Sequence, residues 1–147
     1  CDDTFRVRAR VPPTMPLLQF DTTLDATDDD KRAFTRTVTE LYAEEMATTT
    51  GHIAVVFREH PAPNLSLGRA EGGPLLFLDA EVRQGRSFER KRSFARSVMD
   101  AARERWAVPT ANLKVVFTEH AGEQMMGYDR VGGDWSEAES GGDGDGT

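Results

Sequence analysis

The chain has 147 residues, which suits one domain with a sizeable core, and its 38% hydrophobic and 29% charged residues are typical of a soluble globular protein. No apolar run approaches the roughly 18 residues of a membrane span, and a net charge of −7 gives no electrostatic attraction to nucleic acid or to acidic membranes. The single cysteine, Cys1, excludes an internal disulfide and a cysteine-based metal site. We therefore predict a cytoplasmic protein with neither nucleic acid nor membrane as a partner.

The first fifteen residues show no apolar periodicity and are predicted to form an N-terminal extension that the mature protein need not keep. Initiation at Met15 would leave Pro16 as the second residue, and a small second residue favours removal of the initiator methionine. The predicted domain therefore begins at Pro16 and extends to residue 128.

The last segment, 129–147, is acidic and rich in glycine, with six acidic side chains against a single arginine. We predict that it forms a tail outside the domain. Its final residues, 140–147, contain nothing to bury and are expected to be disordered.

The first half of the domain predicts a strand, a helix and a second strand. Thr27 is a suitable N-cap, and the aspartates at 28–30 would face the positive end of the helix dipole. Apolar residues then recur at three- and four-residue steps as far as Tyr42, as expected for an amphipathic helix. The predicted elements are strands at 17–21 and 53–57, a helix from 28 to about 48–51, and a short edge strand at 65–68.

The second half repeats this order. Ser87 is predicted to cap a helix that ends near Trp106, with strands at 74–79 and 113–120 on either side. The run Pro74-Leu75-Leu76 echoes Pro16-Leu17-Leu18 at an offset of 58 residues, and His120 echoes His60 at an offset of 60.

Tandem βαβ units, at about 16–60 and 74–120, are the economical interpretation of this repeat. Each unit places its two strands parallel with a right-handed crossover. The predicted fold is α/β (α+β), with a four-stranded sheet and both helices on one face. Since no third long helix is predicted, we expect oligomerisation to cover the other face.

This layout resembles the tautomerase superfamily, and within it the cis-3-chloroacrylic acid dehalogenase-like group. The resemblance is carried by the two βαβ units, by Met15-Pro16 before the first strand, and by the Arg-Gln-Gly-Arg-Ser sequence at 83–87. It runs from Pro16 to about Trp135 and includes the segments 61–68, 124–125, 128–130 and 133–135. The resemblance implies a homotrimer whose subunit contacts complete the sites, and no cofactor.

Pro16 is the predicted catalytic residue. Within a chain, a proline nitrogen is an amide, but at a free N-terminus it becomes a secondary amine. Burial near cationic side chains lowers the pKa of such an amine, which can then accept a proton near neutral pH. The resemblance implies this general base or acid role. The alternative is a proline that only begins a strand, as Pro74 is expected to do.

Arg83 and Arg86 bracket a Gln-Gly turn between a strand and a capped helix, so both side chains can face the opening of the same pocket. Arginine binds carboxylates at two points, and the resemblance implies that this pair holds the substrate carboxylate. The alternative is a pair of solvated surface arginines.

Three positions depart from the dehalogenase-like pattern. The catalytic histidine position carries Tyr42, the strand tyrosine position carries Val116, and the water-activating acid falls at Gly127, with Glu123 one helical turn earlier. Tyr42 and Glu123 are therefore only possible auxiliary residues, and Tyr42 has a core position as its alternative.

The sequence thus predicts a cofactor-independent keto–enol tautomerase that acts on a small 2-oxo acid or enol carboxylate, because tautomerisation needs only a proton shuttle and a cationic site. One alternative is a dehalogenase, hydratase or decarboxylase of three-carbon acids that uses Glu123. Another is a non-catalytic oligomeric module, if Pro16 is not N-terminal. His52, His60 and His120 have no metal-site spacing and are interpreted as polar residues near strand ends.

Overall fold

Four strands form one mixed sheet. The computed structural model describes residues 16–142, with the side chains of 140–142 left out. The strands are β1 (Leu17–Thr22), β2 (Ala54–Glu59), β3 (Leu76–Arg83) and β4 (Leu113–His120), and they lie in the order β2-β1-β3-β4. β1 and β2 are parallel, as are β3 and β4, and the central β1 and β3 are antiparallel. This is the predicted pair of βαβ units in one sheet.

Two long helices, α1 (Asp28–Glu45) and α2 (Phe88–Trp106), connect the parallel strands, and a short helix, α3 (Glu137–Gly142), follows near the C-terminus. Both predicted caps are confirmed, because Thr27 accepts a hydrogen bond from the Asp30 backbone at 3.0 Å and Ser87 accepts one from the Arg90 backbone at 3.2 Å. Each side-chain oxygen satisfies an N–H group that has no partner within its helix.

The core lies between the helices and one face of the sheet. Alternate residues of β1 and β3 point into it, as the two-residue period of a strand requires. Aromatic rings fill the end near α1: the Phe34 ring lies 5.2 Å from that of Phe20 and 4.8 Å from that of Trp106. The most deeply buried apolar side chains are Leu18, Phe20, Phe34, Val38, Met46, Ala80, Val82, Phe94 and Ala102.

The internal repeat has one constant offset of 60 residues. Leu17 pairs with Ala54 exactly as Phe77 pairs with Lys114, and Ala47 and Ala107 adopt the same left-handed backbone with φ values of 54° and 55°. In this register, the counterpart of Pro16 is Leu76 and not Pro74. The two prolines therefore occupy similar local sequences but do not occupy equivalent positions in the two strands.

Two local predictions about the strands were wrong. Residues 65–68 do not form a strand, and the chain there follows a 3₁₀ turn at Ala62–Asn64. β3 continues to Arg83, because Val82 is buried and Arg83 pairs with His120 of β4.

The ends of the chain bear on two further expectations. Residues 140–142 complete α3, where composition predicts disorder. The proposed extension at 1–15 lies outside the described residues, as do residues 143–147.

The face of the sheet away from the helices is polar. His60 Nε2 lies 2.7 Å from the Asp21 carboxylate, and His120 pairs with Glu81 in the equivalent place of the second unit. Desolvation, reinforced by the neighbouring Glu81, raises the pKa of Asp79, and no described residue forms a hydrogen bond with its buried Oδ1.

Replacing Phe34 by Ala should destabilise the fold, because a fully buried ring in contact with three other aromatic rings is lost. We expect the free energy of unfolding to fall by about 3–5 kcal/mol. Chemical denaturation at fixed protein concentration measures this change. Arg36→Ala, at an exposed position of the same helix, should change it by less than about 0.5 kcal/mol. Equal effects of the two substitutions would contradict the assigned core.

Candidate active site

The predicted site residues meet at one edge of the sheet. β1 begins at Leu17, whose antiparallel partner in β3 is Glu81. Continuing this register by one residue sets Pro16 opposite Val82, the residue before Arg83. Pro16 is buried, and its carbonyl oxygen accepts a hydrogen bond from the Ala54 backbone at 3.1 Å. The start of β1 and the end of β3 therefore bring Pro16 to the arginine turn.

Arg83 is fully engaged within the chain. Only 1% of its side chain is exposed. One Nη atom donates to the Gly133 carbonyl at 2.8 Å, and the other donates to the Glu139 carboxylate, also at 2.8 Å. The guanidinium is thus neutralised by a residue 56 positions away.

Arg86 is buried but only partly satisfied. Its Nε donates to the Met46 carbonyl at 2.7 Å, while both Nη atoms are buried and have no hydrogen-bond partner among the described residues. Burial lowers the pKa of Arg86 to about 10, so the side chain is still cationic at neutral pH. A buried cation with free N–H donors is costly for the protein and is suited to an anionic ligand.

Two aromatic rings enclose this cation. The guanidinium carbon of Arg86 lies 5.6 Å from the Tyr42 ring centroid and 5.2 Å from that of Trp135. Both distances are within the range of cation–π attraction. Burial raises the pKa of the Tyr42 phenol, which therefore stays protonated at neutral pH. Tyr42 also packs edge-on against Phe94, with ring centroids 5.1 Å apart, so it belongs to the core and to the site at once.

The segment that follows β4 contains Trp135 and packs against the turn at 83–87. The Trp135 backbone donates to the Gln84 carbonyl, and its indole N–H donates to the Ala47 carbonyl, each at 3.0 Å. Glycine is required at residue 85, because φ is +124° and a Cβ would lie 2.1 Å from the Trp135 carbonyl oxygen. The arginine turn and this segment therefore fit together backbone against backbone.

The structure gathers the predicted site residues unequally. Arg86 contacts Tyr42 and follows Arg83 by three residues, and Pro16 precedes the strand next to β3, whereas Glu123 is exposed on a 3₁₀ turn at Gly122–Gln124. Val116, at the position of the missing tyrosine, is 47% exposed on the polar face of the sheet.

Sequence reasoning missed the roles of Glu139 and Thr48. Thr48 donates a hydrogen bond to the same Glu139 oxygen that Arg83 contacts, at 3.0 Å. The acidic composition of the tail was visible in the sequence, but nothing in it indicated which acid turns back to the arginines.

No group of three or more His, Cys, Asp or Glu side chains suited to a metal ion occurs among the residues the structure describes. Within that same part of the chain, every helix is too short or too polar to cross a membrane.

Comparison with known proteins bears on this arrangement. The family model described as "Tautomerase enzyme" matches residues 16–68. N1, a member of the cis-3-chloroacrylic acid dehalogenase family, is 18% identical and superposes with a TM-score of 0.73 over 80% of this chain and 84% of its own. The fold is that of the tautomerase superfamily. The resemblance carried by the sequence is confirmed at the level of that fold.

Two further structures share the tautomerase fold at similar sequence identity and TM-score. A fused 4-OT, solved as a symmetric trimer, is 18% identical with a TM-score of 0.70, over 79% of this chain and 96% of its own. FG41 malonate semialdehyde decarboxylase, inhibited by 3-bromopropiolate, is 18% identical with a TM-score of 0.67, over 77% of this chain and 90% of its own. No curated protein matches the sequence.

Gly85→Ala should lift Trp135 away from the arginine turn, because the new Cβ would overlap the Trp135 carbonyl oxygen. In a Trp106→Phe background, we expect the tryptophan emission to shift to longer wavelength and the indole to become accessible to acrylamide. Gly72→Ala is the matched control, since no atom lies within 4 Å of a Cβ built there. An emission spectrum that is the same for both variants would contradict the assigned contact.

Proposed function

We propose that this chain, with Pro16 as its N-terminal residue, is a cofactor-independent keto–enol tautomerase for a small 2-oxo acid or its enol. The observation that carries the proposal is Arg86, whose two buried Nη atoms lack hydrogen-bond partners within residues 16–142 and lie beside the rings of Tyr42 and Trp135. The tautomerase fold of the chain supports the same reaction class.

The substrate carboxylate is the natural partner of Arg86. A carboxylate that accepts from both Nη atoms forms a forked, charge-assisted pair. It thereby replaces the hydrogen-bond acceptors that the guanidinium lost when it was removed from water. The Tyr42 and Trp135 rings flank the cation, so its immediate surroundings are apolar and suit a short carbon chain next to the carboxylate. A small 2-oxo acid combines both features, a single carboxylate and a compact apolar remainder.

Pro16 supplies the proton transfer. It is buried at the start of β1, next to the strand that ends in Arg83. Burial and nearby positive charge both disfavour a protonated amine, and so lower its pKa toward neutrality. The neutral amine removes the proton from the enol hydroxyl on C2, and the resulting ammonium returns a proton to C3, which completes the conversion to the 2-oxo acid. The proton balance closes without an external acid or a cofactor.

Tyr42 has a supporting part in this scheme. Its hydroxyl stays protonated because burial raises the pKa of the phenol. The ring keeps Arg86 in place through its cation–π contact, while its edge-on contact with Phe94 fixes the ring itself. We propose Tyr42 as a residue that positions the carboxylate-binding arginine.

The working unit is proposed to be a homotrimer. The sheet face opposite the helices contains a buried Asp79 oxygen without a partner, flanked by the pairs Asp21–His60 and Glu81–His120. A polar face of this kind is suited to contact with further copies of the chain. The symmetric trimer formed by the fused 4-OT of the same fold supports this arrangement.

Activity should depend on a free nitrogen at Pro16. A protein that begins at Pro16 is expected to ketonise phenylenolpyruvate or a 2-hydroxydienoate, whereas the full 147-residue chain, in which that nitrogen is an amide, should be inactive. In the trimmed protein, Pro16→Ala should lower kcat/KM by about 10² or more, in line with the usual contribution of general acid–base catalysis. Initial rates followed by ultraviolet absorbance measure both effects.

Three results would contradict this mechanism. They are a trimmed protein inactive on both substrates, full activity after Pro16→Ala, and a natural protein whose intact mass retains residues 1–15. The last result would favour the alternative of a non-catalytic oligomeric module.

Arg86→Met should abolish carboxylate binding while sparing the fold. The substitution keeps an unbranched side chain between the Tyr42 and Trp135 rings and removes a buried, partly unpaired cation. We expect pyruvate to raise the Tm of the wild type but not of the variant, and KM to increase at least about tenfold. The Tm without ligand should be unchanged or higher. Arg92→Met, at an exposed position on α2, should behave as wild type. Stabilisation of Arg86→Met by pyruvate would exclude Arg86 as the carboxylate site.

A further inference from the structure

Glu139 is placed where a substrate carboxylate would be expected. Its Oε2 accepts from Arg83 at 2.8 Å and from Thr48 at 3.0 Å, and only 21% of its side chain is exposed. A side-chain carboxylate thus occupies Arg83, one of the two arginines for which the sequence resemblance implies binding of the substrate carboxylate.

We propose that Glu139 is an internal competitor of the substrate carboxylate at Arg83, and that it sets the affinity of the site for small carboxylates. This inference rests on the proposed function for the identity of the ligand. While Glu139 contacts Arg83, the Nη atoms of Arg86 are the buried donors of this arginine pair that have no partner in the part of the chain that the structure describes. A two-point clamp between both arginines forms only when the ligand displaces Glu139.

The competition is confined to a segment that is separately anchored. Trp135 is held by backbone and indole hydrogen bonds, and the Asp134 carboxylate accepts from the Gly122 backbone at 2.8 Å and from the Gln84 amide at 3.0 Å. These contacts do not involve the Glu139 side chain. The segment therefore keeps Glu139 at a high effective concentration near Arg83, and the carboxylate can be displaced without loss of the Trp135 contacts.

Charge balance decides the direction of the effect. Arg83 is 1% exposed, and Glu139 is its only carboxylate partner among the described residues. If Glu139 becomes neutral, a buried cation is left without a counter-charge, which is strongly unfavourable in a protein interior. An added carboxylate then relieves this charge together with that of Arg86. Removal of the internal competitor should therefore tighten binding, whereas loss of a merely structural contact would weaken it.

The test is calorimetric titration of the trimmed protein with pyruvate, which reports binding without any proton transfer. Glu139→Gln keeps the size and the acceptor oxygen of the side chain but removes the charge, and we expect the Kd of pyruvate to fall at least about tenfold. Glu137→Gln is the matched control on the same helix, because that residue pairs with Arg90 at 3.3 Å and not with Arg83. Its Kd should stay within about twofold of the wild type.

A second variant guards against misfolding. Thr48→Val removes the hydrogen bond to Glu139 and leaves the charge pair intact, so a smaller tightening in the same direction is expected. In the kinetics, Glu139→Gln should lower KM by more than it changes kcat. Unchanged or weaker pyruvate binding in Glu139→Gln, or no detectable binding to any form, would overturn the inference.

The outcomes separate this inference from the proposed function. If Glu139→Gln binds pyruvate more tightly but the trimmed protein has no tautomerase activity, the competitor stands and the proposed reaction does not. If activity depends on Pro16 while Glu139→Gln leaves binding and KM unchanged, the reaction stands and the competitor is excluded.

Discussion

The burial of two guanidinium groups at the end of β3 is the constraint around which the site is arranged. Arg83 is compensated by a backbone carbonyl and by an ion pair with Glu139, whereas Arg86 has one carbonyl and two aromatic rings but no ion pair with any described residue. Because desolvated charge is unfavourable, the segment that closes over the turn must supply acceptors, rings and a carboxylate in specific places. The close approach of Gly85 to Trp135 allows that segment to reach them.

The internal repeat explains why only one edge of the sheet carries this chemistry. At the constant offset of 60 residues, the counterparts of Arg83 and Arg86 are Thr23 and Ala26. At that second edge, Thr23 accepts a hydrogen bond from the Leu75 backbone at 2.9 Å, and the Ala26 backbone donates to the Glu59 carboxylate at 2.8 Å, so neither position places a guanidinium there. The repeat therefore provides a symmetric scaffold, and two small residues in the first unit correspond to two arginines in the second, so the candidate site lies at one edge alone among the described residues.

Much of the fold follows from local signals in the sequence. Thr27 and Ser87 each precede a run of apolar residues at helical spacing, and a cap of this kind needs only a hydroxyl within reach of the first turn. The boundary of β3 was less accessible, because its extension to Arg83 depends on pairing with His120 of another strand. The correspondence of Pro16 with Pro74, at an offset of 58 residues, was wrong for the same reason. Pro16 and Pro74 share their neighbours in sequence, yet the strand ladders align Pro16 with Leu76.

By itself, the sequence determined the order of elements, the two helix caps, the repeat and the candidate residues Pro16, Arg83 and Arg86. These features depend on residues close together in the chain, or on a resemblance of motifs whose order is preserved. Only the tertiary structure decided which arginine is free. Glu139 reaches Arg83 across 56 positions and Thr48 across 91, and no local pattern encodes such a contact. The difference between a neutralised arginine and an available one is a matter of burial and of distant partners, and it arises only when the last segment of the chain folds back onto the sheet.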